Sequence, residues 1–132
     1  QVPRMITLLV LLASFLQSGS ACAATSPGTT TPAPTACTTC AQNLITKTTN
    51  GMGSHAFATD TTDTTGACNT RTLTCVGPNA NIEINNMMGT IDDGGTGTAT
   101  MTVTCNAAGT AWELELQGIA ITSVECASGV VG

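Results

Sequence analysis

Apolar and polar residues alternate with a period of two over several short stretches of this chain. Ile82 and Ile84 flank Glu83, while Met101, Val103 and Cys105 alternate with Thr100, Thr102 and Thr104. Trp112, Leu114 and Leu116 alternate with Glu113 and Glu115. Such alternation sets one face against a core and the other in water, as in antiparallel sheets. The pattern predicts strands over residues 43–49, 54–59, 70–76, 80–85, 98–105, 111–116 and 119–126. Turn chemistry punctuates them at Asn50-Gly51, Gly77-Pro78, Asp93-Gly94-Gly95 and Ala108-Gly109. No stretch of helical length after residue 23 carries a 3.6-residue apolar repeat, and no internal repeat is visible. Short strands spaced in this way predict an all-β fold, a small antiparallel, immunoglobulin-like β-sandwich. The Thr100, Thr102, Thr104 ladder reads as β-propensity on its wet face.

The N-terminal third breaks the pattern. Met5-Ile-Thr-Leu-Leu-Val-Leu-Leu-Ala-Ser-Phe-Leu16 is a largely apolar run, followed by small residues ending in Ala21-Cys22-Ala23. An apolar core with an A-x-A site predicts that residues 1–23 are a few upstream residues, Gln1 to Arg4, plus a secretory signal peptide. The run is too short to span a bilayer, which takes about 20 apolar residues. A lipidated Cys22 is the rival reading, but Gly19 stands where that motif wants Leu. Residues 24–36 read Ala-Thr-Ser-Pro-Gly-Thr-Thr-Thr-Pro-Ala-Pro-Thr-Ala. This segment has nothing large to bury, and its prolines favour extended geometry. Thr and Ser among Pro also make Thr25, Ser26, Thr29, Thr30, Thr31 and Thr35 candidate acceptors for O-linked sugar. No Asn-x-Ser/Thr acceptor occurs.

Removal of residues 1–23 turns an odd cysteine count of seven into an even one. Cys37, Cys40, Cys68, Cys75, Cys105 and Cys126 remain, and an even set in a short secreted chain predicts a disulfide framework. The expected organisation is a six-cysteine β domain over residues 37–132. Its core looks lean: the whole chain has one Trp, two Phe and no Tyr. Bridges are the expected remedy for a domain this small. Charge is sparse as well. Lys47 and Arg71 stand against eight acidic residues, which disfavours nucleic acid and anionic membrane as partners.

Candidate chemistry is thin. Cys37-x-x-Cys40 has redox spacing but lacks the α/β setting that lowers a thiol pKa. His55 is the only histidine, and no nucleophile motif accompanies it. Asp92-Asp93-Gly94-Gly95 offers oxygen ligands, yet turn chemistry accounts for it without calcium. Asp60 and Asp63 read as the solvated face of a Thr-rich loop. Trp112 is expected to pack in the core, beside a disulfide as in sandwich domains. No catalytic residue, cofactor or metal site is expected.

The cysteine arrangement resembles the nematode six-cysteine secreted domain. The features that carry the resemblance are Cys37-Thr-Thr-Cys40, Gly66-Ala-Cys68 and Arg71-Thr-Leu-Thr-Cys75. The block Met101-Thr-Val-Thr-Cys105-Asn-Ala-Ala-Gly109-Thr-Ala-Trp112 and the closing Val124-Glu-Cys126 complete it. The resemblance implies three disulfides and an extracellular setting, and it carries over no catalytic residues. Six cysteines allow 15 pairings. If residues 98–105 and 119–126 were neighbouring antiparallel strands, Cys105 and Cys126 would sit at opposite ends, beyond disulfide reach. Each is therefore expected to bond an earlier cysteine.

The expected function is that of a secreted extracellular structural protein, a subunit of a filament or coat. Self-association would run through residues 24–36, laid along a neighbour as an added strand. The alternative is a monomeric secreted module that binds a protein or glycan, with residues 59–66 as its contact loop. An enzyme is the least favoured reading.

Overall fold

The computed structural model describes residues 36–129. The predicted signal peptide lies outside the described residues. So do Thr25, Ser26, Thr29, Thr30, Thr31 and Thr35.

The described chain is all-β, apart from two single 3-10 turns at Ala36–Thr38 and Gln42–Leu44. Its strands are β1 (Thr46–Thr48), β2 (Ser54–His55), β3 (Thr59–Asp63), β4 (Thr70–Val76), β5 (Asn81–Ile84), β6 (Gly89–Asp92), β7 (Thr98–Cys105), β8 (Trp112–Leu114), β9 (Ile119–Ile121) and β10 (Ser123–Ala127). One sheet has the order β1-β10-β5-β6, with β2 also paired to β10, and the other has β3-β4-β7-β8-β9. Pairing is antiparallel except between β1 and β10, which run parallel.

Period-two patterning explains the two longest strands, whose predicted limits match those found. Along β7 the residues Ala99, Met101, Val103 and Cys105 are buried. Leu73 and Cys75 on β4 face the same core. Ile82, Trp112, Ile121 and Val124 fill the space between the sheets, each worth about 1.5–3 kcal/mol of apolar transfer. Trp112 is fully buried and pairs with Cys105 across β7–β8. Its indole N–H donates to the Ala41 carbonyl at 2.9 Å.

Four sequence expectations need correction. Residues 54–59 form only the two-residue β2, and residues 59–63, expected as loop, form β3. Strand β6 was not anticipated, because Gly89-Thr-Ile-Asp92 carries one large apolar residue. Leu116, expected to face inward, lies past the end of β8 and is 96 % exposed.

The fourth correction concerns residues 119–126, which are two strands in different sheets, parting at Thr122. Asn85 makes the crossing possible. Its Oδ1 accepts the amides of Thr122 (2.8 Å) and Ser123 (3.2 Å), and its Nδ2 donates to the Ala120 carbonyl (2.8 Å). One side chain thus satisfies backbone groups that leave one ladder before they join the next.

Three disulfides close the domain: Cys37–Cys68, Cys40–Cys105 and Cys75–Cys126. The third joins β4 to β10 and so ties the two sheets together. The other two hold the N-terminal segment, one against the β3–β4 connection and one against β7. Cys105 and Cys126 each bond an earlier cysteine, but not for the anticipated reason. Their strands β7 and β10 lie in different sheets rather than side by side.

Candidate functional site

The two sheets leave an open side where the edge strands β1 and β3 face each other. A cleft of about 220 Å³ lies there, lined by Lys47, Thr48, His55, Phe57 and Asp60 among others. It gathers three of the chain's few ionisable groups, Asp60 and His55 partly buried and Lys47 more exposed.

Asp60 points inward from β3. Arg71, on the neighbouring β4, is buried with 2 % of its surface exposed. Its Nε donates to Asp60 Oδ1 and its Nη2 to Oδ2, both at 2.7 Å. Nη1 donates to the Gln42 carbonyl at 2.6 Å. Lys47 reaches across from β1 and donates to Asp60 Oδ2 at 2.7 Å. The fork-on-fork geometry is the strong form of this pairing. The Arg71 hydrogen bonds, opposed by burial and assisted by Lys47, hold the Asp60 carboxyl down to about 2. Asp60 is therefore not part of a solvated loop face; it is the ion that closes the open side. Asp63 does remain exposed. Its Oδ1 accepts the Thr65 hydroxyl and amide, which keeps its pKa below the usual carboxylate value.

His55 sits on β2 at the far end of the cleft. Its Nδ1 lies 2.9 Å from the Ala56 carbonyl, so this nitrogen carries the proton. In the neutral imidazole with that tautomer, Nε2 accepts the Ser128 hydroxyl at 2.8 Å. This is a hydroxyl–imidazole pair that the sequence could not reveal, because 73 residues separate its members. A nucleophile also needs donors for a developing oxyanion. The Ser128 amide is committed to the Gly53 carbonyl and the Gly129 amide to the Pro78 carbonyl. The pair therefore pins the end of β10 to β2. His55, Cys75 and Cys126 also place potential ligand atoms within 4.8 Å of one another. Both sulfurs are bonded to each other, which removes them as metal ligands.

Glu125 is a buried carboxylate that the sequence did not single out. It accepts the amides of Asn50 (2.9 Å) and Gly51 (2.6 Å) and the Thr48 hydroxyl (2.8 Å). The Asn50 amide leads in holding its pKa below the usual value. It organises the β1–β2 connection rather than a ligand. Asp92 and Asp93 likewise serve their turn: their carboxylates accept the amides of Gly94, Gly95 and Gly97.

The opposite side of the sandwich, between β6 and β9, is apolar instead. Met87, Met88 and Leu116 are 84 %, 74 % and 96 % exposed, with Ile119 beside them at 36 %. The Met-bearing turn has an unusual backbone. Asn85, Asn86 and Met87 all have positive φ, at 48°, 53° and 71°. Single left-handed residues are ordinary for Asn, but three in succession ending in Met store strain.

The wet face of the second sheet is a lattice of threonines. Thr59, Thr74 and Thr100 form one row across β3, β4 and β7, and Thr61, Thr72 and Thr102 form the next. Thr72 and Thr102 share a hydrogen bond at 3.2 Å.

A family model described as the C6 domain matches residues 22–126, a span that takes in residues 24–36 as well as all three disulfides. No curated protein and no solved structure matches this chain.

Proposed function

The chain belongs to the C6 domain family, and we propose on that premise that it is a secreted, non-enzymatic structural protein. In this reading it assembles with copies of itself outside the cell, as a filament or coat subunit joined through residues 24–36. The observation that carries the reading is a disulfide-closed sandwich with unpaired sheet edges, led by an uncharged Thr/Pro segment. An extended segment that adds to a neighbour's sheet gains main-chain hydrogen bonds without needing a large apolar surface. A head-to-tail contact of this kind propagates as an open filament when the rotation between subunits does not close a ring. Covalent glycans on the Thr/Pro segment are part of the proposal, and a cofactor, nucleic acid or membrane in the mature form is not.

The test is sedimentation velocity on the mature secreted chain and on a variant lacking residues 24–36. The full chain is expected to sediment as large species and the truncated chain as a monomer. Equal sedimentation of the two would contradict the reading.

A second reading has its own observation. Met87, Met88 and Leu116 put exposed apolar side chains on two turns at one side of the sandwich, where a monomeric binding module would hold a protein ligand. Residues 59–66, expected from the sequence as the contact loop, are not a loop. Most of that stretch is strand β3.

A further inference from the structure

We infer that the free edge of β3 is the acceptor for residues 28–31 of a second copy of this chain. This rests on the assembly reading above and names where the joint forms.

The sheet edges are not equivalent. Strand β9 has three residues, Ile119-Ala-Ile121, and borders the exposed Leu116 and Met88. Residues 24–36 hold only Ala, Thr, Ser, Pro and Gly, so they supply nothing to cover that apolar border. Strand β1 has three residues, with Lys47 drawn across to Asp60. Strand β6 runs straight into the Asp92-Asp93 turn. Strand β3, with five residues, is the longest free edge in the domain, and Thr59, Thr61 and Asp63 on it are exposed.

Charge selects the occupant. Pairing β3 with β3 of another copy would bring Asp60 and Asp63 near their counterparts, and like charges across strands are destabilising. A segment without charge avoids this, and residues 24–36 contain none. The Asp60 charge is already met by Arg71 and Lys47.

Register follows from proline and threonine. Proline offers no N–H to a ladder, so Pro27 and Pro32 bracket residues 28–31 as the stretch able to pair. Thr29 and Thr31 then share a face, two residues apart. Beside β3 they continue the two rows Thr59-Thr74-Thr100 and Thr61-Thr72-Thr102 by one column each. On that face they look into solvent, where a glycan leaves the ladder free. Thr30 points the other way, towards the cleft of about 220 Å³ between β1 and β3, which has room for it.

The connection between the domain and the pairing stretch sets the reach of the joint. The segment is anchored at Ala36, whose carbonyl accepts the Thr39 amide at 2.9 Å and lies against Gly109. A Cβ at Gly109, where φ is 71°, would strike that carbonyl. Between the anchor and the pairing stretch stand Pro32 and Pro34, which favour extended geometry at about 3.1 Å per residue.

The test is hydrogen–deuterium exchange with mass spectrometry on the full mature chain, at concentrations where it is assembled and where it is diluted. A Thr30→Pro variant, which leaves the folded domain untouched, is measured in parallel. In the assembled chain the amides of residues 59–63 should exchange about tenfold more slowly than in the diluted chain or the variant. Residues 119–121 should not change. Assembly that protects 119–121, or no strand edge, would overturn the β3 acceptor while leaving assembly standing. Protection of β3 that persists in the diluted monomer would show pairing within one chain and overturn the two-copy joint. A chain that is monomeric at every concentration, with β3 unprotected, would overturn both this inference and the assembly reading.

Discussion

Asp60 meets both Arg71 and Lys47, and among the described residues it is where an ion pair, rather than packing, joins the two sheets at their open side. Removing the charge would leave the buried Arg71 guanidinium without a counter-ion, held only by the Gln42 carbonyl and one amide oxygen. An Asp60→Asn variant should therefore lose roughly 2–4 kcal/mol, read as a lower urea midpoint at neutral pH. The sign of the pH effect follows from the depressed pKa of about 2, against the usual 3.8. The stabilisation is fully present above about pH 4 and is lost as pH falls through the folded value. It amounts to about 1–2 kcal/mol once solvent screening is allowed for. The variant's stability should be flatter than that of the parent between pH 4 and 2; parallel curves would assign the acid sensitivity elsewhere. None of this was legible beforehand. Thr-Asp-Thr-Thr-Asp has no apolar residue, so the inward side of β3 is invisible to a pattern that looks for hydrophobic alternation. Glu125 escaped notice for a related reason: its partners Thr48, Asn50 and Gly51 lie 74 to 77 residues away.

At the scale of elements, the strands that could be read from the sequence are those with a continuous apolar face. Strands β4 and β7 begin and end where alternation begins and ends. The misreading of residues 119–126 as one strand has a clear cause. Ile119, Ile121, Val124 and Cys126 form a plausible apolar series, and nothing local at Thr122 marks a break. The break is imposed by Asn85, which sits 37 residues earlier. An Asn85→Ala variant removes three side-chain bonds to backbone and places a Cβ residue without that compensation at φ 48°. It should cost about 2–4 kcal/mol in chemical denaturation. Asn85→Gly, which relieves the backbone but not the lost bonds, should recover only part. Full recovery by glycine would mean that strain, not bonding, is what Asn85 manages.

The whole molecule was legible in outline: an all-β sandwich, six paired cysteines and a place in the C6 domain family. Sequence order could not give the pairing, because that depends on which strands face each other across the core. The bridges close loops of 31, 65 and 51 residues. In the chain-entropy picture each contributes roughly 4 kcal/mol, against a typical total stability of about 5–15 kcal/mol. Full reduction without denaturant should therefore unfold the domain, seen as loss of the near-ultraviolet circular dichroism of Trp112. Retention of that signal would mean that the lean core suffices. The Ser128 and Gly129 amides near His55 are bonded to backbone carbonyls, and Asp60, Asp92, Asp93 and Glu125 serve the sheet closure and turns. The disulfide-closed domain has open sheet edges and follows a segment without charged side chains. Negative-stain electron microscopy of the native secreted material shows whether such domains join. Regular filaments or a continuous lattice built from domain-sized units are expected. A field of dispersed particles, each the size of one domain, would contradict the assembly reading.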